Sequence, residues 1–245
     1  IGFKGPVFFF PLTESTNDFA RKLAREEKIN RAVIAAAFQT EGRGRRGRTW
    51  LSPTGRGICF SLLIRTVRAD AAPLITLVTA VAAADALESV TGLKVGIKWP
   101  NDLILKEKKI GGILIEKSPD RNGDEKVIIG IGINVNNTDF PAEIRNRAIS
   151  LRQVLGRVLN RAQLIAEIIR RLEEAYPALT DRDKLDRILS AYREKSVTLG
   201  KTVTIKSPGG AFRGQVRRIA DDGALIVEKE SGETVSLYSG EITLR

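Results

Sequence analysis

Gly42-Arg43-Gly44-Arg45-Arg46-Gly47-Arg48-Thr49-Trp50 packs four arginines and three glycines into seven residues and closes them with one of only two tryptophans. Glycine allows positive φ and close backbone approach to a ligand. Arginine brings a fixed fork of donors that suits phosphate and carboxylate. Four cations on so short a segment repel one another, and a bound anion relieves that repulsion. The stretch reads as a mobile anion-binding loop that closes on its ligand, with a solvated basic loop as the competing reading. Residues 42–47 also fit G-x-G-x-x-G, which signals a dinucleotide site only between a strand and a helix. The strand is present at 32–38, but Ser52-Pro53-Thr54-Gly55 and Gly57 are turn residues followed by a second strand, which argues against that site.

The surrounding composition narrows the chemistry. The chain has 245 residues, 42% of them apolar, enough for one large domain with a small companion. It has no histidine and one cysteine, Cys59, so histidine bases, histidine metal sites, structural zinc and an internal disulfide are all excluded. Cys59 lies in an apolar run and is expected to be a buried structural thiol. No run is expected to reach the roughly 18 apolar residues of a membrane span. Val7-Phe8-Phe9-Phe10 is too short for a signal-peptide core, and the cytoplasm is the expected compartment. The sequence has no methionine, so an upstream segment is expected to have been removed. The net charge is +11, but from Ser196 onward seven basic residues face six acidic ones, so +10 belongs to residues 1–195. A basic surface serves nucleic acid, acidic partners or phosphate-bearing small molecules alike.

Moving outward from the loop, residues 6–11 bracket a short aromatic strand, and Ser15-Thr16-Asn17 start a helix with Phe19 and Leu23 on one face. These three residues have the chemistry of an N-cap, and the same free N–H groups and hydroxyls suit a polar ligand. Residues 58–65 read as a buried strand and 73–90 as an alanine-rich helix ended by Gly92. Apolar residues at 93, 95 and 97 predict a strand, with Lys98 on its other face and Asn101-Asp102 in a turn. Residues 103–105 and 110–116 form a hairpin about a charged turn at 106–109. The Gly111-Gly112 pair marks a bulge or a close approach. After a loop at 118–125, residues 127–135 form a buried strand with Gly130 and Gly132. Helices are expected at 150–155, 160–176 and 181–192. From Ser196 the short strands 197–205, 212–219, 224–228 and 234–238, joined at Pro208-Gly209-Gly210, Asp221-Asp222-Gly223 and Ser231-Gly232, predict a small barrel.

The class is thus α+β: a mixed-sheet domain over 1–195 and a barrel over 196–245. Gln39, Lys98, Gly111-Gly112 and Asn134 lie at strand ends or on glycine-marked strands, where they can converge on one ligand. No general base stands out. What remains is positive charge, which stabilises phosphate during nucleotidyl transfer when the substrate supplies its own nucleophile, such as a carboxylate.

The loop 42–50 resembles the signature loop of biotin protein ligases. The resemblance extends in order through Glu14-Ser15-Thr16-Asn17, Lys98-Trp99-Pro100-Asn101-Asp102, residues 109–116, residues 130–136 and the last fifty residues, which resemble that family's SH3-like domain. It implies formation of biotinyl-AMP from biotin and ATP, then transfer of biotin to a lysine of a biotin carboxyl carrier domain of acetyl-CoA carboxylase or a related carboxylase. By the same resemblance Ser15, Thr16, Asn17 and Gln39 hold the ureido end of biotin. Arg43, Gly44 and Arg45 close over carboxylate and adenylate. Lys98 acts between biotin's carboxylate and the α-phosphate, and Gly112 lets the backbone approach biotin. Arg48, Trp50, Asn134 and Arg147 belong to the ATP side. The family uses Mg²⁺ with ATP. Its ligands here are unknown, because Asp102 is equally well read as a turn residue. Members often dimerise through the sheet.

Some members carry an N-terminal helix-turn-helix. Only about a dozen residues precede the Ser15 helix, so no DNA binding is expected of this chain, and no membrane. A lipoate or octanoate ligase or transferase would share the architecture without the arginine-rich loop. A nucleic-acid-binding module is the non-catalytic alternative, against which the near-neutral barrel and the few aromatics argue.

Overall fold

The computed structural model describes residues 3–26, 28–51, 55–65, 71–118, 125–207 and 210–244. Ser52-Pro53-Thr54, residues 119–124 and Pro208-Gly209 among the expected turns lie outside them. Among the described residues, eight elements come before the first glycine-paired strand. They are β1 (Val7–Phe10), α1 (Thr16–Ala24), β2 (Arg31–Ala36), a 3-10 turn (Arg45–Gly47), β3 (Ile58–Arg65), α2 (Ala72–Thr91), β4 (Gly96–Lys98) and β5 (Asp102–Leu105). Then come β6 (Lys108–Lys117), β7 (Lys126–Ile133), α3 (Ala142–Arg145), α4 (Leu151–Leu155), α5 (Arg161–Ala175) and α6 (Arg182–Lys195). β8 (Thr202–Ser207), β9 (Gly210–Ile219), β10 (Leu225–Lys229), β11 (Thr234–Leu237) and β12 (Glu241–Leu244) complete the chain.

The first seven strands form one sheet in the order β1-β2-β3-β7-β6-β5-β4. Only β1 and β2 pair in parallel, so the sheet is mixed as expected. Period-two alternation sorts its residues between two faces. Ile129, Ile131 and Ile133 of β7 pack with Phe60 and Leu62 of β3 against α2, with α5 and α6 outside it. Ala32, Ile34, Leu63 and Ile128 point the other way, against Ala20 and Ala24 of α1. There Phe8 and Phe10 tilt onto Phe19 at 5.4 and 4.6 Å between ring centroids. Each buried Ile or Leu contributes roughly 1.5–3 kcal/mol relative to exposure.

α2 is apolar on every side, which is why its pattern carries no amphipathic stripe. Contrary to expectation it is long and apolar enough, by length and composition, to cross a membrane. Here it is the core helix, enclosed by the sheet, α5 and α6. Its alanines let it lie close to the strands, and Gly92 ends it in the left-handed region at φ 72°.

The expected strand from residue 93 starts only at Gly96. Thr91 Oγ1 takes the Leu93 N–H and the Glu88 carboxylate takes the Val95 N–H, so side chains of the preceding helix hold the backbone before the sheet does. The strand expected from 197 starts at Thr202, because Val197 N donates to Ile97 O and Thr198 Oγ1 accepts from Trp99 N. The charged turn is confined to Lys106 and Glu107, both at positive φ (47° and 62°), and Lys108 and Lys109 already belong to β6. α3 and β12 were not expected.

The last five strands make an antiparallel sheet ordered β11-β10-β9-β8-β12. It docks on the first domain through Trp99 Nε1, which donates to Gly223 O at 3.1 Å, and through Arg193 Nε, which donates to Ile219 O at 3.1 Å. Gly223 sits at φ 86° against Pro73 and Leu77 of α2, where a side chain would be strained.

Candidate active site

A cleft of about 1110 Å³ opens on the α1 face of the sheet, and it is lined by all thirteen residues to which the resemblance gives a role, but not by Gly111, which faces Leu103 and Ile133 on the α2 side. Two alternate positions of β7 and the residue just past its end make its floor. Gly130, Gly132 and Asn134 face the cleft because the intervening isoleucines face α2. Successive floor positions stand about 6.6 Å apart, two residues of strand.

At Gly130 the floor meets the start of α1. Ser61 is the cross-strand partner of Gly130, and its Oγ lies 2.7 Å from Thr16 Oγ1 and 2.5 Å from Asn17 Oδ1. A side chain on Gly130 would collide with Asn17. Gln39 Oε1 accepts from Thr16 N and Oγ1 at 2.8 and 3.0 Å. The backbone bonds Thr40 N to Thr13 O and Glu41 N to Glu14 O hold the two segments together. Asn17 Nδ2 donates to Glu116 at 2.5 Å. Ser15 occupies the N-cap position, yet its hydroxyl makes no cap bond. The result is a buried end wall of paired donors and acceptors, with a hydroxyl left over.

At Gly132 a cross-strand row runs Lys98, Asp102, Gly112, Gly132, Cys59, each the register partner of the next. Lys98 faces away from Val95 and Ile97, as its alternation requires. Burial pulls the Lys98 ammonium below its ordinary value, with Asp102 opposing the shift. Lys109 was not singled out for chemistry. It ion-pairs with Asp102 at 2.6 Å, lies 5.8 Å from the Trp50 ring centroid, and would touch a Cβ on Gly112 at 3.2 Å. The signal that could have found it was its place two residues before Gly111-Gly112. The Trp50 indole packs against Gly132, where a side chain would collide with it. Cys59 is buried as expected, and it lines the same row.

The arginine loop roofs this row. It is closed by Trp50 N to Gly42 O at 2.8 Å and Gly44 N to Arg48 O at 2.7 Å, with Arg46 and Gly47 at φ 58° and 70°. Each arginine has found a separate partner, so the expected self-repulsion is answered within the chain. Arg43 forks onto Asp18 of α1, Arg45 donates to Asn101 Oδ1 at 2.9 Å, Arg46 donates to Lys206 O of β8, and Arg48 pairs with Glu241 of β12. The Asp18 bond raises the pKa of Arg43; burial lowers that of Arg45. Arg48 in turn holds the Glu241 carboxyl below its usual range. Two of the four anchors come from the barrel.

Past Asn134 the wall is formed by Asn137, Phe140, Ile144, Arg147 and Ala148. Arg147 donates to Glu143 O at 3.3 Å, and its carbonyl accepts from Lys109 N. Among the described residues no three histidine, cysteine or carboxylate side chains gather to hold a metal. Asp102 pairs with one lysine and stands opposite another in register, so the residues do not make a metal cage.

Residues 9–134 match the Biotin/lipoate A/B protein ligase family, and residues 198–245 match the Biotin protein ligase C terminal domain. The fold is similar to that of a biotin protein ligase from Aquifex aeolicus in complex with biotin and ATP, with a TM-score of 0.85, 30% identity and 99% of each chain covered. The Bifunctional ligase/repressor BirA of Bacillus spizizenii is 35% identical over 97% of this chain and 74% of that protein. The Biotin--[acetyl-CoA-carboxylase] ligase of Mycobacterium tuberculosis is 31% identical over 94% of this chain and 85% of that protein.

Proposed function

The chain belongs to the biotin protein ligases, within the biotin/lipoate A/B protein ligase family, and on that premise we propose how its cleft performs the ligation. It is an ATP-dependent ligase. Biotin's carboxylate attacks the α-phosphate of ATP, pyrophosphate leaves, and the biotinyl group of biotinyl-AMP then passes to a lysine amine of a carboxylase's biotin carrier domain as AMP leaves.

The observation that carries the assignment of roles is the spacing of the β7 floor. Biotin's ureido end lies at the Gly130 end, against Ser15, Thr16, Asn17 and Gln39. Its carboxylate and the α-phosphate meet over the Gly132 row, and the nucleotide extends past Asn134 toward Arg147. Two anions must approach each other there, and Lys98, Lys109, Arg43, Arg45 and Arg48 surround the row. Fixed cations aimed at developing negative charge stabilise the transition state without reorganising. The carboxylate is itself the nucleophile, so the first step needs no general base. Gly112 and Gly132 keep the floor flat, Gly44 lets the loop close, and the Trp50 ring moves to the base side when substrate enters. Mg²⁺ is assigned to the nucleotide substrate, since such ions commonly bind through phosphates and few protein groups.

The reading also divides the chain at 195/196, gives the excess positive charge to anionic substrates rather than nucleic acid, and places the protein in the cytoplasm. Homodimerisation through a sheet edge is part of it, supported by Val7 and Phe9 on the outer strand β1, each 66% exposed. The test is exchange of labelled pyrophosphate into ATP. Exchange that requires biotin and Mg²⁺ is expected; exchange supported by lipoate or octanoate instead would move the specificity.

A further inference from the structure

Glu116 reaches the end wall from β6. Alternation along the strand puts it on the same face as Gly112 and Leu114, but it stands behind the wall: Asn17 lines the cleft and Glu116 does not. Its carboxylate accepts from Asn17 Nδ2 at 2.5 Å and from Arg21 at 2.7 Å. The Asn17 oxygen lies over Gly130 and faces Ser61 Oγ at 2.5 Å. Ser61 has one proton for two oxygens, since Thr16 Oγ1 stands 2.7 Å away and gives its own proton to Gln39. Turning the Asn17 amide over would relieve this, because Nδ2 would then donate to Ser61 and Ser61 to Thr16. It would also set the amide oxygen against an ion-paired carboxylate, which only accepts. Hydrogen bonds to charged groups are the stronger ones. The Ser61 side thus favours one orientation of the amide, and Glu116 imposes the other.

We infer that Glu116 is a positioning residue for biotin recognition, which fixes the orientation of the Asn17 amide and so makes the end wall a donor to the ureido carbonyl. In the imposed orientation Asn17 Nδ2 gives one proton to Glu116 and keeps a second for a ligand. In the reversed orientation an oxygen stands there, which repels a carbonyl and suits a cationic N–H group. A site whose buried polar groups are left unpaired by an analogue rejects it. This role rests on the proposed biotin site.

The test is calorimetric binding of biotin and of 2-iminobiotin, whose guanidinium puts N–H donors where biotin has the ureido oxygen. Wild type is compared with Glu116→Gln, which is nearly isosteric and can donate to a reversed Asn17. The variant is expected to lose about tenfold of the preference for biotin over 2-iminobiotin, the scale of one hydrogen bond, with the KM for ATP unchanged. Loss of a carboxylate acting through charge alone would weaken the cationic analogue and widen the preference. A widened or unchanged preference therefore overturns the inference. Arg21→Met removes the ion pair but leaves the Asn17 bond, and is expected to keep the wild-type preference; a loss there equal to that of Glu116→Gln overturns it. Should Glu116→Gln fail to fold, Ser61→Ala decides: the wild-type preference is expected to survive, and its loss would give the orienting role to Ser61. Wild-type protein that binds neither ligand would remove the biotin reading, and this inference with it.

Discussion

Asp18 accepts from both terminal nitrogens of Arg43, at 2.7 and 2.5 Å, so the first arginine of the basic loop is anchored to the helix whose first turn carries Thr16 and Asn17. Arg21 joins the same carboxylate at 2.5 Å and Glu116 at 2.7 Å. The basic loop and the end wall therefore share one charged network.

Asp18→Asn is expected to cost about 0.5–1 kcal/mol at neutral pH, a modest figure because both partners are partly exposed. Burial works to raise the Asp18 pKa, but the hydrogen bonds and charges of Arg43 and Arg21 outweigh it and the net shift is downward. A depressed carboxylate contributes its stability above its unfolded value, about 3.9, and loses it as pH falls through the folded value. Denaturant unfolding of both proteins should show a constant gap from about pH 7 to 5 that closes in stronger acid. A gap that changed near neutrality would mean another group is responsible.

Lys98→Ala is expected to slow adenylate formation by about 100-fold or more, the scale of losing one preorganised charge contact, with an unchanged circular dichroism spectrum. Because burial lowers its pKa, the wild-type rate should fall on the alkaline side before an ordinary lysine, near 10.4, would titrate. Lys98→Arg should remove that limb, since arginine stays charged. Single-turnover adenylation across pH checks both, and normal turnover by Lys98→Ala would transfer the role to Lys109.

Gly130→Ala places a methyl group against Asn17. Overpacking of this kind costs about 1–3 kcal/mol. The loss should appear in biotin Kd, measured by calorimetry, while the KM for ATP stays near wild type. A larger change in the ATP term would contradict the division of the floor.

Arg45→Gly removes the donor to Asn101 and one of the four loop anchors. Retention of biotinyl-AMP should loosen, and protease cleavage within residues 43–48 should no longer be suppressed by biotin with ATP. Equal cleavage of the wild-type loop with and without substrates would count against loop closure.

Much of this was legible locally. Alternation along residues 127–135 is a property of neighbours, so it could be known from the chain alone that Gly130, Gly132 and Asn134 share a face. The same holds for Lys98 against Ile97, for Gly92 ending α2 and for Asn160 capping α5, where its side chain accepts from Ala162 N and Gln163 N. Strand edges depart from the local pattern where a distant or side-chain acceptor takes the N–H, as Glu88 does for Val95 and Ile97 for Val197.

The amino-acid sequence by itself determined most of the elements, the glycine floor and the excess of cations, because caps, turns and alternation depend on residues a few positions apart. Tertiary structure alone decided which acceptor answers each cation. Asp18 meets Arg43 across 25 residues, and Glu241 reaches Arg48 from the far end of the chain. Lys109 meets Asp102 only because a hairpin folds them together. Charge pairing has no period and no local propensity. It is set by which loops the sheet and the barrel bring within hydrogen-bonding distance.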